Sequence, residues 1–361
     1  MTPSTKETML DLIKDLSEAK APSGFEDEAV AVARRFAEDF ADAKEDSLRN
    51  LYLYPKNFSG EKPVFMLDAH GDEVGMMVQA IKPNGTLRFL PLGGWSPNTL
   101  PASKVWVRTK TGKFIPGVVA APPPHFITEA DRNRAADPST LVIDIGASSA
   151  QEAVEAYGVR IGEPVVSAVD FTYDEEHDRM LGKAFDCRVG CAAMLETLHR
   201  LADEDLPVDL CGVLSSQEEV GDRGVQVSVN TVKPAVAIAF EGCPADDTFT
   251  EPYMTQTAVG KGPMIRFMDR SMIANPRFMR YTIDLAEQLN IPLQTSVRSG
   301  GGNNGAVINL QNGGIPVIVV GVPVRYIHSH YGWASYADVE AAVDLAIAVV
   351  KNMTPEVLAS F

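Results

Sequence analysis

The chain reads as an α/β protein: a mixed, largely parallel sheet sandwiched by helices, with a small β-barrel domain inserted into it. Three observations predict this. In the C-terminal half, apolar runs of strand length alternate with segments of helical periodicity. A middle stretch breaks into short β-like runs separated by glycine and proline. Residues of the types that hold metals sit where predicted strands end.

Each element follows from its pattern. Apolar Met9, Leu10, Ile13 and Leu16 recur at helical spacing, and Ser23 stands three residues before Glu26, the spacing of a capping box for a second helix through Phe40. Val64-Phe65-Met66-Leu67 is an apolar run bounded by Pro63 and by Asp68-Ala69-His70-Gly71-Asp72-Glu73, the pattern of a buried strand whose end carries function. From Gly75 to Pro164 the β-like runs Leu87 to Leu90, Val105 to Arg108 and Leu141 to Ile145 are broken by Gly93-Gly94 and Pro122-Pro123-Pro124. Alternation then resumes: a helix from Val189 to Leu201, strands Val208 to Leu214 and Ala235 to Phe240, a helix from Asn275 to Gln288, a strand from Pro316 to Gly321 and a helix from Ala337 to Val350. Residues 1–74 and 165–361 thus form one domain in two parts, interrupted by residues 75–164.

Composition narrows the class. A chain of 361 residues exceeds the usual domain of about 100 to 200, which fits a larger domain plus a smaller one. Hydrophobic residues at 45% and charged residues at 22% exclude a disordered or fibrous chain. The formal charge of −16 would repel phosphate backbones, so nucleic acid is not expected as a partner. Lys6, Glu7, Asp11 and Lys14 interrupt the apolar positions of Met1 to Lys14, giving an amphipathic helix rather than a signal peptide, and the expected location is cytoplasmic. The longest apolar run, Ile315 to Val324, contains Pro316 and Pro323 and is too short to cross a membrane. Cys187, Cys191, Cys211 and Cys243 form no CxxC pair and read as reduced thiols.

The chemistry lies in His70 with Asp72, Asp186, Glu218 with Glu219, Glu241, and His328, all at or near predicted strand ends. The carboxyl ends of strands in an open α/β sheet converge on one crevice, so these residues can meet there. A hydrolytic site with two metals about 3.5 to 4 Å apart needs a bridging carboxylate, imidazole or carboxylate ligands on each side, and a further carboxylate to carry a proton. The adjacent pair Glu218-Glu219 suits that division of labour. A glycoside hydrolase would need two facing carboxyls, whereas neighbours on an extended stretch point in opposite directions. His125, His177, His199 and His330 read as structural.

The segments His70-Gly71-Asp72-Glu73-Val74-Gly75, Lys183-Ala184-Phe185-Asp186-Cys187-Arg188-Val189-Gly190, Gln217-Glu218-Glu219-Val220-Gly221-Asp222-Arg223-Gly224 and Pro323-Val324-Arg325-Tyr326-Ile327-His328-Ser329 together resemble the glutamyl-aminopeptidase and tetrahedral-aminopeptidase family of cocatalytic metallopeptidases. The resemblance implies a zinc-aminopeptidase-like catalytic domain holding two divalent ions, zinc or cobalt. It implies Asp186 as the bridge, His70 and Glu241 completing one metal site, Glu219 and His328 the other, Glu218 as general base, and Asp72 as the carboxylate orienting His70. The implied reaction is release of N-terminal amino acids from short peptides by hydroxide generated at the metals. A related amidase or deacylase, or an inactive shell-forming homologue, would share the same motifs.

Three positions depart from that family pattern. Cys187 replaces a second aspartate, Glu241 replaces an aspartate ligand after the predicted strand, and Gly302-Asn303-Asn304-Gly305 replaces a stretch with one more negative charge near the expected substrate crevice. The resemblance also implies self-association, from dimer to dodecamer, through the insertion. That segment of about ninety residues has limited capacity to bury a core of its own, and Trp95, Trp106, Phe114 and Phe126 are its candidate interface aromatics.

Overall fold

The computed structural model describes residues 3–128 and 136–361, so Met1 and Thr2 of the N-terminal segment and residues 129–135 of the insertion lie outside it. The first helix, α1 (Lys6–Glu18), is capped by the Thr5 side chain and buries Met9, Ile13 and Leu16, as its spacing predicts, with Leu12 buried and Leu10 only partly so. The second, α2 (Asp27–Ala37), does not begin with a capping box. Glu26 occupies its N-cap without a side-chain cap bond. The Ser23 hydroxyl donates instead to Asp72, and the Glu26 carboxylate accepts the amides of Gly24 and Gln217.

Two short strands, β1 (Ala41–Glu45) and β2 (Leu51–Pro55), precede β3 (Val64–His70). The chain then leaves the sheet for β4 (Gly75–Ile81), β5 (Leu87–Leu92), β6 (Lys104–Arg108), β7 (Phe114–Ala120), β8 (Val142–Asp144) and β9 (Pro164–Ser167), with α3 (Ala150–Glu155) before the last. These six close into an antiparallel barrel in the order β4-β5-β8-β7-β6-β9. The expected runs become β5, β6 and β8. Strand β7 escaped notice because Pro116 and Gly117 interrupt its alternation. The barrel also encloses a core of its own, with Met76, Val78, Leu87, Phe89, Val105 and Ile143 buried, contrary to the expected shortage.

Beyond the barrel, β10 (Thr172–Asp174) and β11 (Arg179–Gly182) lead to α4 (Phe185–Leu201), β12 (Asp209–Ser215), α5 (Arg223–Val232) and β13 (Val236–Pro244). There follow β14 (Met264–Met268), α6 (Pro276–Leu289), β15 (Gln294–Val297), α7 (Asn304–Asn309), β16 (Val317–Val324), β17 (Gly332–Ala334), α8 (Tyr336–Lys351) and α9 (Pro355–Leu358). The main sheet runs β1-β2-β12-β3-β13-β16-β14-β15. Its four central strands, β12, β3, β13 and β16, are parallel, and antiparallel pairs occur only toward the edges. Every residue of β12 and of β16 is buried, as a strand covered on both faces requires. Helices α1, α4, α6 and α8 pack as one layer, and α5 and α7 as the other. Strand β13 extends past its predicted end at Phe240 because β16 continues alongside it, pairing Glu241 with Gly321 and Cys243 with Pro323. Glu241 is therefore a strand residue, not the residue after one.

A buried ionic network ties the α1–α2 connection to the strand ends. Lys183 Nζ donates to both oxygens of Glu73 (2.5 and 2.7 Å) and to the Ala19 carbonyl, and Arg188 donates to the carbonyls of Leu16, Ala19 and Ala21. Burial pushes the Lys183 ammonium down to about 8 although Glu73 opposes the shift. Glu73→Ala would strand that charge, and is expected to lower unfolding free energy by about 3 to 5 kcal/mol. Chemical denaturation checks this, and an unchanged midpoint would show that the network contributes nothing.

Candidate metal centre

The parallel strands deliver the centre by register. Ser215 of β12 lies beside His70 of β3, and Glu241 of β13 lies beside Gly321 of β16, so the ends of four strands face one crevice. His70 is the last residue of β3, Glu218 and Glu219 follow β12, Glu241 projects from β13, and His328 follows β16. Asp186 comes from the start of α4, where Ala184 is left-handed and Asp186 and Cys187 are non-helical. Gly242 makes that approach possible. A Cβ there would lie 2.4 Å from the Phe185 carbonyl oxygen and 2.7 Å from the Asp186 Cα.

Asp186 sits in the middle. Its Oδ1 lies 3.1 Å from His70 Nε2 and its Oδ2 lies 3.4 Å from His328 Nε2. Glu241 Oε2 is 3.6 Å and Glu218 Oε2 3.8 Å from His70 Nε2, while Glu219 Oε2 is 3.7 Å from His328 Nε2. Ligands on a tetrahedral zinc at about 2.0 to 2.2 Å stand about 3.3 Å apart, so these separations fit ions held between the side chains. Each imidazole is oriented from its other nitrogen. His328 Nδ1 donates to the Gly94 carbonyl (2.5 Å), and His70 Nδ1 meets the Asp72 carbonyl (3.2 Å), with the Asp72 carboxylate at 3.5 Å. Both Nε2 atoms thereby face the centre, the tautomer a metal ligand needs.

The Asp72 carboxylate does more than face His70: it also takes the Ser23 hydroxyl and the amides of Glu218 and Glu219. Nor do Glu218 and Glu219 point apart as on an extended strand. They occupy a turn entered through Gln217 at φ 54°, and both face the centre. Asn303 and Asn304 are buried away from the crevice: Asn303 caps α7 and donates to Asp269, and Asn304 donates to Asp68. His330 packs on Trp95 and bonds to Ser167, a structural histidine as expected.

The acids and imidazoles shift one another strongly. Burial, reinforced by neighbouring acids and only partly opposed by the histidines, lifts Glu218 well above the carboxylate range, Glu219 up to about 8, and Glu241 upward. Burial disfavours charge on the histidines too, but the acids outweigh it, raising His70 well above its usual value and His328 to about 10. Burial likewise works against Asp186, yet His328 and His70 hold it below its usual value. Glu241 Oε1 is buried without a hydrogen-bond partner. An excess of buried acid, an orphaned oxygen and two imidazoles turned inward together fit divalent cations. Asp186, Glu219 and His328 form one group able to hold an ion, and His70, Cys187 and Glu241 another. Cys187 is fully buried, donates to the Phe240 carbonyl (3.2 Å), and burial raises its thiol well above the usual range.

A cleft of about 640 Å³ opens over the centre, and its wall carries groups that sequence reasoning passed over. Arg266 pairs with Asp269, and Arg298 pairs with Asp246 and bonds to Thr257. Asp222, at the start of α5, has no side-chain cap bond. Ser23 and Glu26, which support the Glu218–Glu219 turn from the α1–α2 connection, were concealed by their resemblance to a local cap.

Known proteins share this architecture. Residues 50–345 match the family model described as M42 glutamyl aminopeptidase. The glutamyl aminopeptidase of Lactococcus lactis subsp. cremoris is 33% identical over 357 residues, 97% of this chain and 98% of that protein. The structure of a TET aminopeptidase from the marine sediment archaeon Thaumarchaeota archaeon SCGC AB-539-E09 superposes with a TM-score of 0.93 at 36% identity, covering 98% of this chain and 99% of that one. The TET1 peptidase of Pyrococcus horikoshii, which can assemble into a tetrahedron or a large octahedral shell, superposes with a TM-score of 0.85 at 30% identity, covering 96% and 100%.

Since the thiol is committed to a main-chain carbonyl, Cys187→Ser is expected to retain zinc within about 10- to 100-fold of wild-type affinity. Metal titration checks this, and a loss as complete as that of His328→Ala would make Cys187 a ligand.

Proposed function

This chain belongs to the M42 glutamyl aminopeptidase family, and from that premise we propose that it is a two-metal aminopeptidase releasing N-terminal amino acids from short peptides. The observation that carries the reading is Asp186, whose two oxygens face the Nε2 atoms of two different histidines, as a carboxylate shared by two coordination shells must. His70 and Glu241 would hold one divalent ion, zinc or cobalt, and Glu219 and His328 the other. The bound pair would polarise the scissile carbonyl and lower the pKa of a water toward about 7.

The chain's own groups supply the rest. Glu218 is half-buried beside the centre with its Oε2 3.8 Å from His70 Nε2, so it is placed to take a proton from the attacking water and return it to the leaving amine. His70 and His328 are fixed through Nδ1 and keep their orientation through the cycle. The cleft, walled by residues such as Gly94, Gln256 and Arg298, holds the peptide against the centre. The four cysteines are buried and free, in keeping with a reducing cytoplasm.

Self-association into a closed particle, up to a dodecamer, completes the reading, and it would restrict access to short or unfolded peptides. Its support is similarity to the shell-forming TET1 peptidase, together with Phe126, 81% exposed on the insertion. Trp95 does not support it. That ring is half-buried against the barrel core, and its Nε1 donates to the Gly75 carbonyl.

Two outcomes are expected. Glu218→Gln should bind metal as the wild type does but turn over amino-acyl anilides about 10²- to 10⁴-fold more slowly, in single-metal reloading assays. Near-normal turnover would remove Glu218 from the mechanism. Light scattering should give a mass many times the 39.0 kDa chain, and a monomer at micromolar concentration would overturn the assembly proposal.

A further inference from the structure

Three successive amides support the turn that presents Glu218 and Glu219. Gln217 N–H donates to Glu26 Oε1 (3.1 Å), Glu218 N–H to Asp72 Oδ1 (2.9 Å) and Glu219 N–H to Asp72 Oδ2 (3.2 Å). The two acceptors are joined through the α1–α2 connection: Ser23 donates to Asp72 Oδ2 (2.6 Å), and Gly24 N–H donates to Glu26 Oε1 (2.7 Å). A segment remote in sequence, holding no candidate ligand, therefore grips the turn from behind.

The grip falls on the one residue of that turn whose conformation needs it. Gln217 has φ 54°, a left-handed conformation that a residue with a side chain keeps only when its surroundings impose it. That same φ turns two adjacent glutamates toward one centre. Glu26 has no other evident task. It is the N-cap residue of α2, yet its side chain makes no cap bond there. It is 1% exposed, and its Oε2 is buried with no hydrogen-bond partner. Burial, with the charge of Asp72 adding, pushes it up to about 7. A buried carboxyl with one oxygen unpartnered is costly, and a loop without a carboxyl there would fold more easily.

We propose that Glu26 is a positioning residue for catalysis: by accepting the Gln217 amide it locks the left-handed turn that aims Glu218 at the reacting water, without touching substrate or metal. The inference rests on the reading of Glu218 as the base. It differs from a packing role, because the geometry requires an acceptor at Oε1 rather than volume or charge.

The test compares Glu26→Ala, Glu26→Gln and Glu26→Asp in the full chain, with zinc content, kcat, KM and hydrogen exchange at the 217–219 amides measured for each. Glu26→Ala should lower kcat about 10- to 100-fold, the usual effect of losing a group that orients the reacting residues, with KM and zinc content near wild type and faster exchange at Gln217. Glu26→Gln keeps a carbonyl at Oε1 and should restore both kcat and slow exchange. Glu26→Asp withdraws the acceptor by one methylene and should resemble the alanine variant, which keeps the test open if alanine prevents folding. An unchanged kcat in the alanine and aspartate variants, or an equal loss in all three, would overturn the proposal. Glu218→Gln, assayed in parallel, separates the two readings. Normal turnover in that variant removes the base, whereas a Glu218 effect without a Glu26 effect overturns the positioning role alone.

Discussion

Like charges held together out of water are the constraint on which this molecule turns. Asp186, Glu218, Glu219 and Glu241 converge on a point where His70 and His328 partly offset them. At an effective dielectric of about 20, two like charges about 4 Å apart repel by roughly 4 kcal/mol, so the arrangement opposes folding unless cations join it. Burial first, and that repulsion after it, raises the carboxyls of Glu218, Glu219 and Glu241. A scaffold able to hold such a cluster must be rigid elsewhere. Here the centre hangs from the ends of four parallel strands buried on both faces, with the Lys183–Glu73 pair set just behind it.

Much of this was legible because the ligand types stand next to strong local signals. His70 closes an apolar run, Glu218 and Glu219 follow another, and His328 trails a third, so the rule that strand ends meet at one edge was enough to gather them. What escaped depends on angles and long-range partners. Whether Glu218 and Glu219 diverge or converge is decided by one backbone angle at Gln217, for which no pattern of apolar residues is a guide. Ser23 and Glu26 carry the spacing of a cap, but the same hydroxyl and carboxylate bond to residues far along the chain, Asp72 and Gln217. A local motif and a tertiary one compete for the same atoms, and only the folded register decides between them. Asn303 and Asn304, expected near the crevice from the family pattern, are turned inward by the capping of α7 and the bond to Asp68.

The insertion is more than an attachment. Its Gly94 carbonyl accepts from His328 Nδ1, and a Cβ on Gly93 would lie 3.2 Å from Glu219 Oε2, so the barrel forms one wall of the centre. Trp95, next in sequence, is held against the barrel by its bond to Gly75 and stacks near His330 of the loop that also carries His328. The position of the barrel and the orientation of one imidazole are therefore coupled by a single short hydrogen bond and a ring contact. Excising residues 75–164 would remove any contacts between subunits and the partner of His328 together, so loss of activity in such a deletion could not be assigned to loss of assembly. The two contributions separate on the outer face of the barrel instead. Phe126 and Val118 are exposed there, away from the Gly94 carbonyl, so polar residues at those positions would test the proposed association without touching the partner of His328.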